Sequence, residues 1–328
     1  MREGCDSPSV VSAAVDDPGL SPLQNKTLGL LRRGDEPVVF DPAFVATLQG
    51  DIEEAFELFG ERLGDETVFM SKHRMSSVLG CEVQHMADDT FAWSPAVAGG
   101  QVAHRAIQLL VNWRGEPVPA DVVDEAIARL ADDDSSLGDW IAGLSEADRA
   151  DLTGVAVEKL IKFLECFPPL DKRAAPTTES SVRWPLDGSI VLSGKVDLTI
   201  GRPAGAESRK VIVDLKTGWV SAKHREDLRF YALVETLRTQ VPPRKLASFY
   251  LDAGQPVVED VTEAILLSAS RRMLDAVNAE IELRVEGRQP VKRPGTSCRW
   301  CALAADCIEG TAYLAGRVDP DAELDPDT

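Results

Sequence analysis

Gly194-Lys195-Val196-Asp197 and Val213-Asp214-Leu215-Lys216 decide how this chain is read. Each acid ends or interrupts an apolar run of strand length, within SGKVDLTIG and KVIVDLK. Side chains alternate along a strand, so Asp214 and Lys216 point to one face. A second acid from a neighbouring strand, Asp197, completes a group of two carboxylates and an amine. Oxygen donors of that kind suit Mg²⁺ or Mn²⁺. The amine can orient a water for attack on phosphorus, and a bound metal stabilises the extra charge of the transition state. Asp-x-Lys alone reads first as an ordinary strand-end salt bridge, because such triplets are common. The upstream Gly-x-x-Asp strand shifts the balance.

The texture around these strands is mixed. SVRWPLDGSIVLSGKVDLTIG has β-branched runs broken by Asp-Gly and Ser-Gly, as hairpin strands do. A helix is expected from about Glu226 to Thr239, stopped by Pro242 and Pro243. LASFYLDAGQPVVEDVT reads as a further hairpin, and residues 262–285 as a last long helix. The first half is helical in pattern. Phe44, Leu48, Ile52, Phe56 and Phe59 recur at helical spacing, and residues 101–113 and 122–130 give two more helices. Ser145 with Asp148 is a capping signal for a helix running to Phe167, before Pro168 and Pro169. Residues 1–40 are rich in Ser, Pro, Gly and Asp and are expected to be disordered. Residues 311–328 are expected to form an acidic tail.

Together the motifs resemble the PD-(D/E)XK nucleases, specifically their RecB-like branch. Gly194-Lys195-Val196-Asp197 followed by Asp214-Leu215-Lys216-Thr217-Gly218 carries the likeness. The branch adds a His on an upstream helix, often after a Gly, and Gly100-Gln101-Val102-Ala103-His104 fits it. It also adds a Gln-x-x-x-Tyr helix after the Lys strand. Here the stretch is Asp227-Leu228-Arg229-Phe230-Tyr231, with the Tyr in place and Asp for Gln. The resemblance implies a restriction-endonuclease-like α/β fold, a mixed central sheet flanked by helices. A helical region over residues 41–176, carrying Cys81 and His104, would precede a nuclease core over residues 177–310. His104, Asp197, Asp214 and the Leu215 carbonyl would hold the metal. Lys216 would position water, and Tyr231 would lie near the scissile phosphate. Glu179 stands where the family often has an acid, although an exposed strand-end Glu is the commoner explanation. Lys223, His224, Arg225 and Asp227 are weaker DNA-contact candidates.

The six cysteines sharpen the likeness. Cys298-x-x-Cys301 is followed by Cys307, and Cys81 stands far upstream. A subset of RecB-like nucleases is similar in this, with one Cys before the core and three after it, holding a [4Fe–4S] cluster. Four thiolates suit such a cluster, and Zn²⁺ is the chemical alternative. Unrelated free thiols are the plain alternative. Cys5 lies in the loose N-terminal stretch, and Cys166 falls on an apolar helix face. Lys72, Arg74, Lys292 and Arg293 flank the cysteines and could line a DNA path or be solvated charge. His73, His85 and His224 read as surface residues.

The net charge of −19 excludes a protein that coats nucleic acid through bulk positive charge. The charge is uneven, however. Residues 121–151 hold ten acids and two bases, whereas residues 209–245 hold nine Lys or Arg and four acids. No phosphate-cradling Gly-x-x-x-x-Gly-Lys-Ser/Thr is present, so any motor would be a separate helicase or repair subunit. There is no apolar run for a membrane span and no secretory pattern at the N-terminus, which places the chain by default in the cytoplasm. The expected function is metal-dependent hydrolysis of DNA phosphodiesters, as an exonuclease on ends or single strands in repair or recombination. The alternative is a non-catalytic iron–sulfur DNA-binding or scaffold subunit of a repair complex.

Overall fold

The computed structural model describes residues 17–87, 91–218 and 220–316. Ser21-Pro22, Asp41-Pro42 and Ser94-Pro95 each set a capping oxygen before a proline with no N–H to lose, and each opens a helix. Helix α1 (Pro22–Leu31) and α2 (Pro42–Leu63) lead to a short strand, β1 (Val68–Met70). Helices α3 (Lys72–Val78), α4 (Glu82–Met86) and α5 (Pro95–Leu110) follow. Then come α6 (Pro119–Ala131), α7 (Ser136–Ala142) and α8 (Glu146–Cys166), the last capped by Ser145. Strands β2 (Thr177–Trp184), β3 (Ile190–Ile200) and β4 (Val211–Lys216) precede α9 (Ala222–Thr239). Strands β5 (Lys245–Tyr250) and β6 (Gln255–Asp260), α10 (Glu263–Arg284) and α11 (Ile308–Ala315) complete the chain.

The strands form one mixed sheet. β3 pairs antiparallel with β2 along most of its length, parallel with β1 at its start and antiparallel with β4 at its end. β4 runs parallel to β5, and β5 antiparallel to β6. Each face of the sheet carries its own core. Ile212 of β4 packs in one core with residues of α2, α3, α9 and α10. Val211, Val213 and Leu215 pack in the other with α5, α6, α7 and α8. That alternation turns Asp214 and Lys216 toward α3 and α9. On β3, Val196 belongs to the first core and Leu198 to the second, so the strand changes face across Asp197. The expected mixed sheet with helices on both faces is the observed fold. Cys166 is buried in the second core.

Two expectations are corrected at the chain ends. Over residues 17–40, composition suggested disorder, yet α1 forms. Ser21 and Gln24 make a reciprocal capping box, and both also bond to carbonyls near the end of α8. The Arg244 guanidinium takes the carbonyls of Leu31 and Arg32 at 2.6 and 3.1 Å, closing the other end of α1. Residues 1–16, with Cys5, lie outside the described residues. At the other end, residues 311–315 of the expected acidic tail belong to α11, and residues 317–328 lie outside the described residues.

Two buried acids tie the C-terminal half to α3 and α4. Glu82 accepts from the Val291 N–H at 2.8 Å and from Arg288 at 2.8 Å, with Arg293 at 3.1 Å. Glu280, fully buried on α10, receives Arg74 at 2.6 Å, His85 at 2.8 Å and Arg284 at 2.9 Å. His85 is therefore a buried partner of this acid and not a surface residue. Burial favours the neutral form of Glu280, but its bonds to His85 and Arg74 outweigh that and hold its pKa at about 2. A carboxylate with a depressed folded pKa stabilises above its ordinary 4.5 and loses that contribution as pH falls toward about 2. Glu280→Gln is expected to cost about 3–5 kcal/mol at neutral pH by leaving cations unpaired. Urea midpoints measured down the pH scale should also lose part of their fall between 4.5 and about 2.

Candidate active site

The β3–β4 pairing runs from Ile200↔Val211 to Leu198↔Val213 and ends there, one position before Asp197 and Asp214. Beyond that point the Leu215 N–H donates to the Asp197 carboxylate at 2.7 Å. A side chain thus satisfies a backbone donor at the place where the ladder opens. Asp214, 1% exposed, is paired twice: with Lys216 at 2.8 Å and with Lys72 at 2.7 Å. Lys72 is the first residue of α3, and its ammonium also lies over the Tyr231 ring, 4.9 Å from the centroid. Lys216 reaches Asp227 at 3.3 Å, and Ser76 bonds to the same carboxylate at 3.4 Å.

The charges respond to this packing. Burial works against the ionised form of Asp214, but Lys72 and Lys216 prevail and hold its carboxyl below the usual carboxylate range. Asp197 goes the other way. Burial pushes it up, His104 opposes the rise, and the charge of Asp214 adds to it. Burial lowers the proton affinity of Lys72, yet Asp214, Tyr231 and Asp197 together raise it above its ordinary value. Two nearby acids are thus pushed in opposite directions, one chiefly by burial and the other by its two lysines.

A ligand set adjoins this pair. His104 Nδ1 lies 3.8 Å from Asp197 Oδ2. Ligand atoms of His104, Glu179 and Asp197 all lie within 4.8 Å of one another. The β2–β3 register, with Thr178↔Leu198 and Ser180↔Val196, sets Glu179 opposite Asp197. Two carboxylates facing each other across strands repel. Glu179 also adopts a left-handed backbone, φ 51°, which is costly for a residue with a side chain. One imidazole nitrogen and carboxylate oxygens at this spacing fit a divalent cation such as Mg²⁺ or Mn²⁺.

Two glycines make the approach possible. A Cβ on Gly100 would lie 3.2 Å from Thr217 Oγ1, so its absence lets α5 close on the end of β4 and brings His104 in one turn later. A Cβ on Gly194 would lie 2.6 Å from Tyr231 Cε1. Tyr231 is buried, and its hydroxyl donates to the Lys195 carbonyl at 2.7 Å. It therefore braces β3 and does not open onto the site as the sequence suggested. His224 is half-buried against the Tyr250 hydroxyl at 3.0 Å, and burial followed by the charge of Lys216 lowers its pKa. Lys223 and Arg225 are exposed at the start of α9. Lys72 was named in the sequence only as a basic residue near the cysteines. The signal that could have placed it was its position two residues after a short apolar strand, VFM, that joins the central sheet.

The four cysteines Cys81, Cys298, Cys301 and Cys307 line one small cavity. Backbone N–H groups of Gly295 and Gly310 point at Cys298 and Cys307 sulfurs at 3.3 and 3.4 Å. A Cβ on Gly310 would sit 3.3 Å and 3.4 Å from the sulfurs of Cys307 and Cys298.

Sheet order and flanking helices define a restriction-endonuclease-like α/β protein. A model of the PD-(D/E)XK nuclease superfamily matches residues 70–308, and the chain belongs to that superfamily. Among solved structures it is similar to one described as "Putative exonuclease" from Eubacterium rectale, at 15% identity and a TM-score of 0.45. That match covers 76% of this chain and 94% of the other. It is also similar to SSO0001, at 14% identity and a TM-score of 0.28, covering 72% and 93% respectively. No curated protein matches.

Asp214 should feel the loss of either lysine. Lys72→Met is expected to destabilise the fold by about 2–4 kcal/mol, because it leaves a buried carboxylate half-paired. In the double variant with Asp214→Asn most of that penalty should disappear. Additive urea-unfolding free energies would show that the pair does not interact.

Proposed function

We propose that this nuclease is a metal-dependent DNA exonuclease of the RecB-like branch, acting on DNA ends or single strands in repair or recombination. The observation that carries the reading is the meeting of Asp197 and Asp214 where the β3–β4 ladder opens, beside His104 and Glu179. His104, Glu179, Asp197, Asp214 and the Leu215 carbonyl are the groups that would hold Mg²⁺ or Mn²⁺. A cation there supplies Lewis-acid stabilisation of charge on the attacked phosphate. Lys216, held between Asp214 and Asp227, is placed to orient the attacking water. Lys72 brings a second ammonium to the same carboxylate and adds positive charge where a phosphate would lie. Tyr231 acts as a positioning residue through the Lys195 carbonyl. Strand separation would come from a separate helicase or repair subunit.

The cavity lined by the four cysteines fits a thiolate-held [4Fe–4S] cluster, with Zn²⁺ as the chemical alternative. Amide N–H groups aimed at two sulfurs fit a thiolate cluster, whose potential such bonds tune. One observation favours a non-catalytic DNA-binding role: Asp227 occupies the position of the family's Gln and pairs with Lys216.

Cleavage separates these readings. With Mn²⁺ or Mg²⁺ the protein should degrade linear DNA, and chelation should stop it. Asp214→Ala and Lys216→Ala should each lower the rate at least about 100-fold. Undiminished cleavage in either variant would remove the site assignment, and no cleavage by the unaltered protein would favour the scaffold role. Protein purified without oxygen should be brown, and Cys301→Ser should lose the broad visible absorbance. A colourless, zinc-containing protein would remove the cluster.

A further inference from the structure

An open groove runs from the cysteine segment to the start of α9. It is lined by Arg74, Ser76, Phe91, Lys223, Arg284 and Trp300 among others. In a chain of net charge −19, its charged lining is basic, and no carboxylate is among its described lining residues. Glu280, buried beside it, holds Arg74 and Arg284 in fixed positions. One acid against those two guanidiniums and Lys223 leaves a surplus of positive charge.

The groove meets the active site. Ser76, one of its walls, bonds to Asp227, and Asp227 pairs with Lys216 beside Asp214. Its other end carries Trp300, which is 77% exposed between Cys298 and Cys301. Phe91, exposed by 56%, is a second aromatic lining residue and packs edge-on against Trp93. An indole so exposed contributes little to the core, and keeping it in water has an apolar cost. A single strand of DNA would use both features. Its phosphates would meet the basic wall, and its unpaired bases would stack on the indole. A duplex keeps its bases stacked inside and offers the indole no partner.

We infer that this groove binds single-stranded DNA, with Trp300 as a base-stacking platform and Lys223 and Arg284 on phosphates, leading the strand to the Asp197–Asp214 pair. The inference rests on the nuclease reading for its direction but is tested without cleavage. Binding of fluorescent oligo(dT) and of a blunt duplex is measured on the full chain in EDTA. Trp300→Ala should weaken oligo(dT) binding about 5- to 100-fold and leave duplex binding unchanged, while Trp300→Phe retains most of the affinity. Lys223→Gln should reduce the slope of log affinity against log salt by about one. Photo-crosslinking of iodouracil-bearing oligo(dT) to the unaltered protein should give an adduct on Trp300, a result that needs no variant to fold. Unchanged oligo(dT) affinity in Trp300→Ala, or adducts found only away from the groove, overturns the proposal. If that happens while Mn²⁺-dependent degradation persists, the groove alone is wrong. If degradation is absent and the Trp300 effects hold, the nuclease reading fails and the binding site stands.

Discussion

A carboxylate removed from water must be paired, and Asp214 is the case on which the centre of this protein turns. It sits on a strand buried on both faces, with one ammonium from its own strand and one from α3. The Lys72 bond joins the sheet to the α3 helix, and the Lys72 ammonium over Tyr231 extends the contact to α9. A helix from the first half of the chain is thereby held to β4 and α9 around one charge. The loss of water around that charge is also what makes the site electrostatically strong, since fields act over short, poorly screened distances there.

A second pair of acids does for the periphery what Asp214 does for the centre. Glu82 and Glu280 draw in Arg74, His85, Arg284, Arg288 and Arg293, and the Glu82 N–H donates to Val291 O. The segment after α10 is thereby laid beside α4. Cys81 is brought to Cys298, Cys301 and Cys307 by ion pairs and backbone bonds that involve none of the sulfurs except as neighbours. Any cluster bound there would reinforce a closure that protein groups already make.

The same acids explain how an acidic protein presents a basic groove. Buried Glu280 gathers guanidinium groups from two helices without offering its own oxygens to solvent. Negative charge inside and positive charge on the wall is a separation that net charge conceals. Substrate attraction depends on the local field and not on the total.

Much of the centre was legible in the sequence, because it rests on local rules. Alternation alone put Asp214 and Lys216 on one face, and Gly-x-x-Asp followed by Asp-x-Lys marked two adjoining strands. Ser145 with Asp148 announced α8, and Cys298-x-x-Cys301 announced the cysteine cavity. Lys72 on Asp214, Arg74 and His85 on Glu280, and the docking of α1 onto α8 and Arg244 were not legible. Lys72 stands 142 residues from Asp214 and Arg74 206 residues from Glu280, and no spacing rule reaches that far. Tyr231 shows the limit most clearly. Its position in the helix was readable, but whether its hydroxyl meets a phosphate or the Lys195 carbonyl depends on how closely β3 packs, which the missing Cβ of Gly194 decides. Local sequence rules assign the groups able to do the chemistry and the strand face that carries each. Which charges become buried together is set by packing, because desolvation is a property of the packed neighbourhood and not of any one segment.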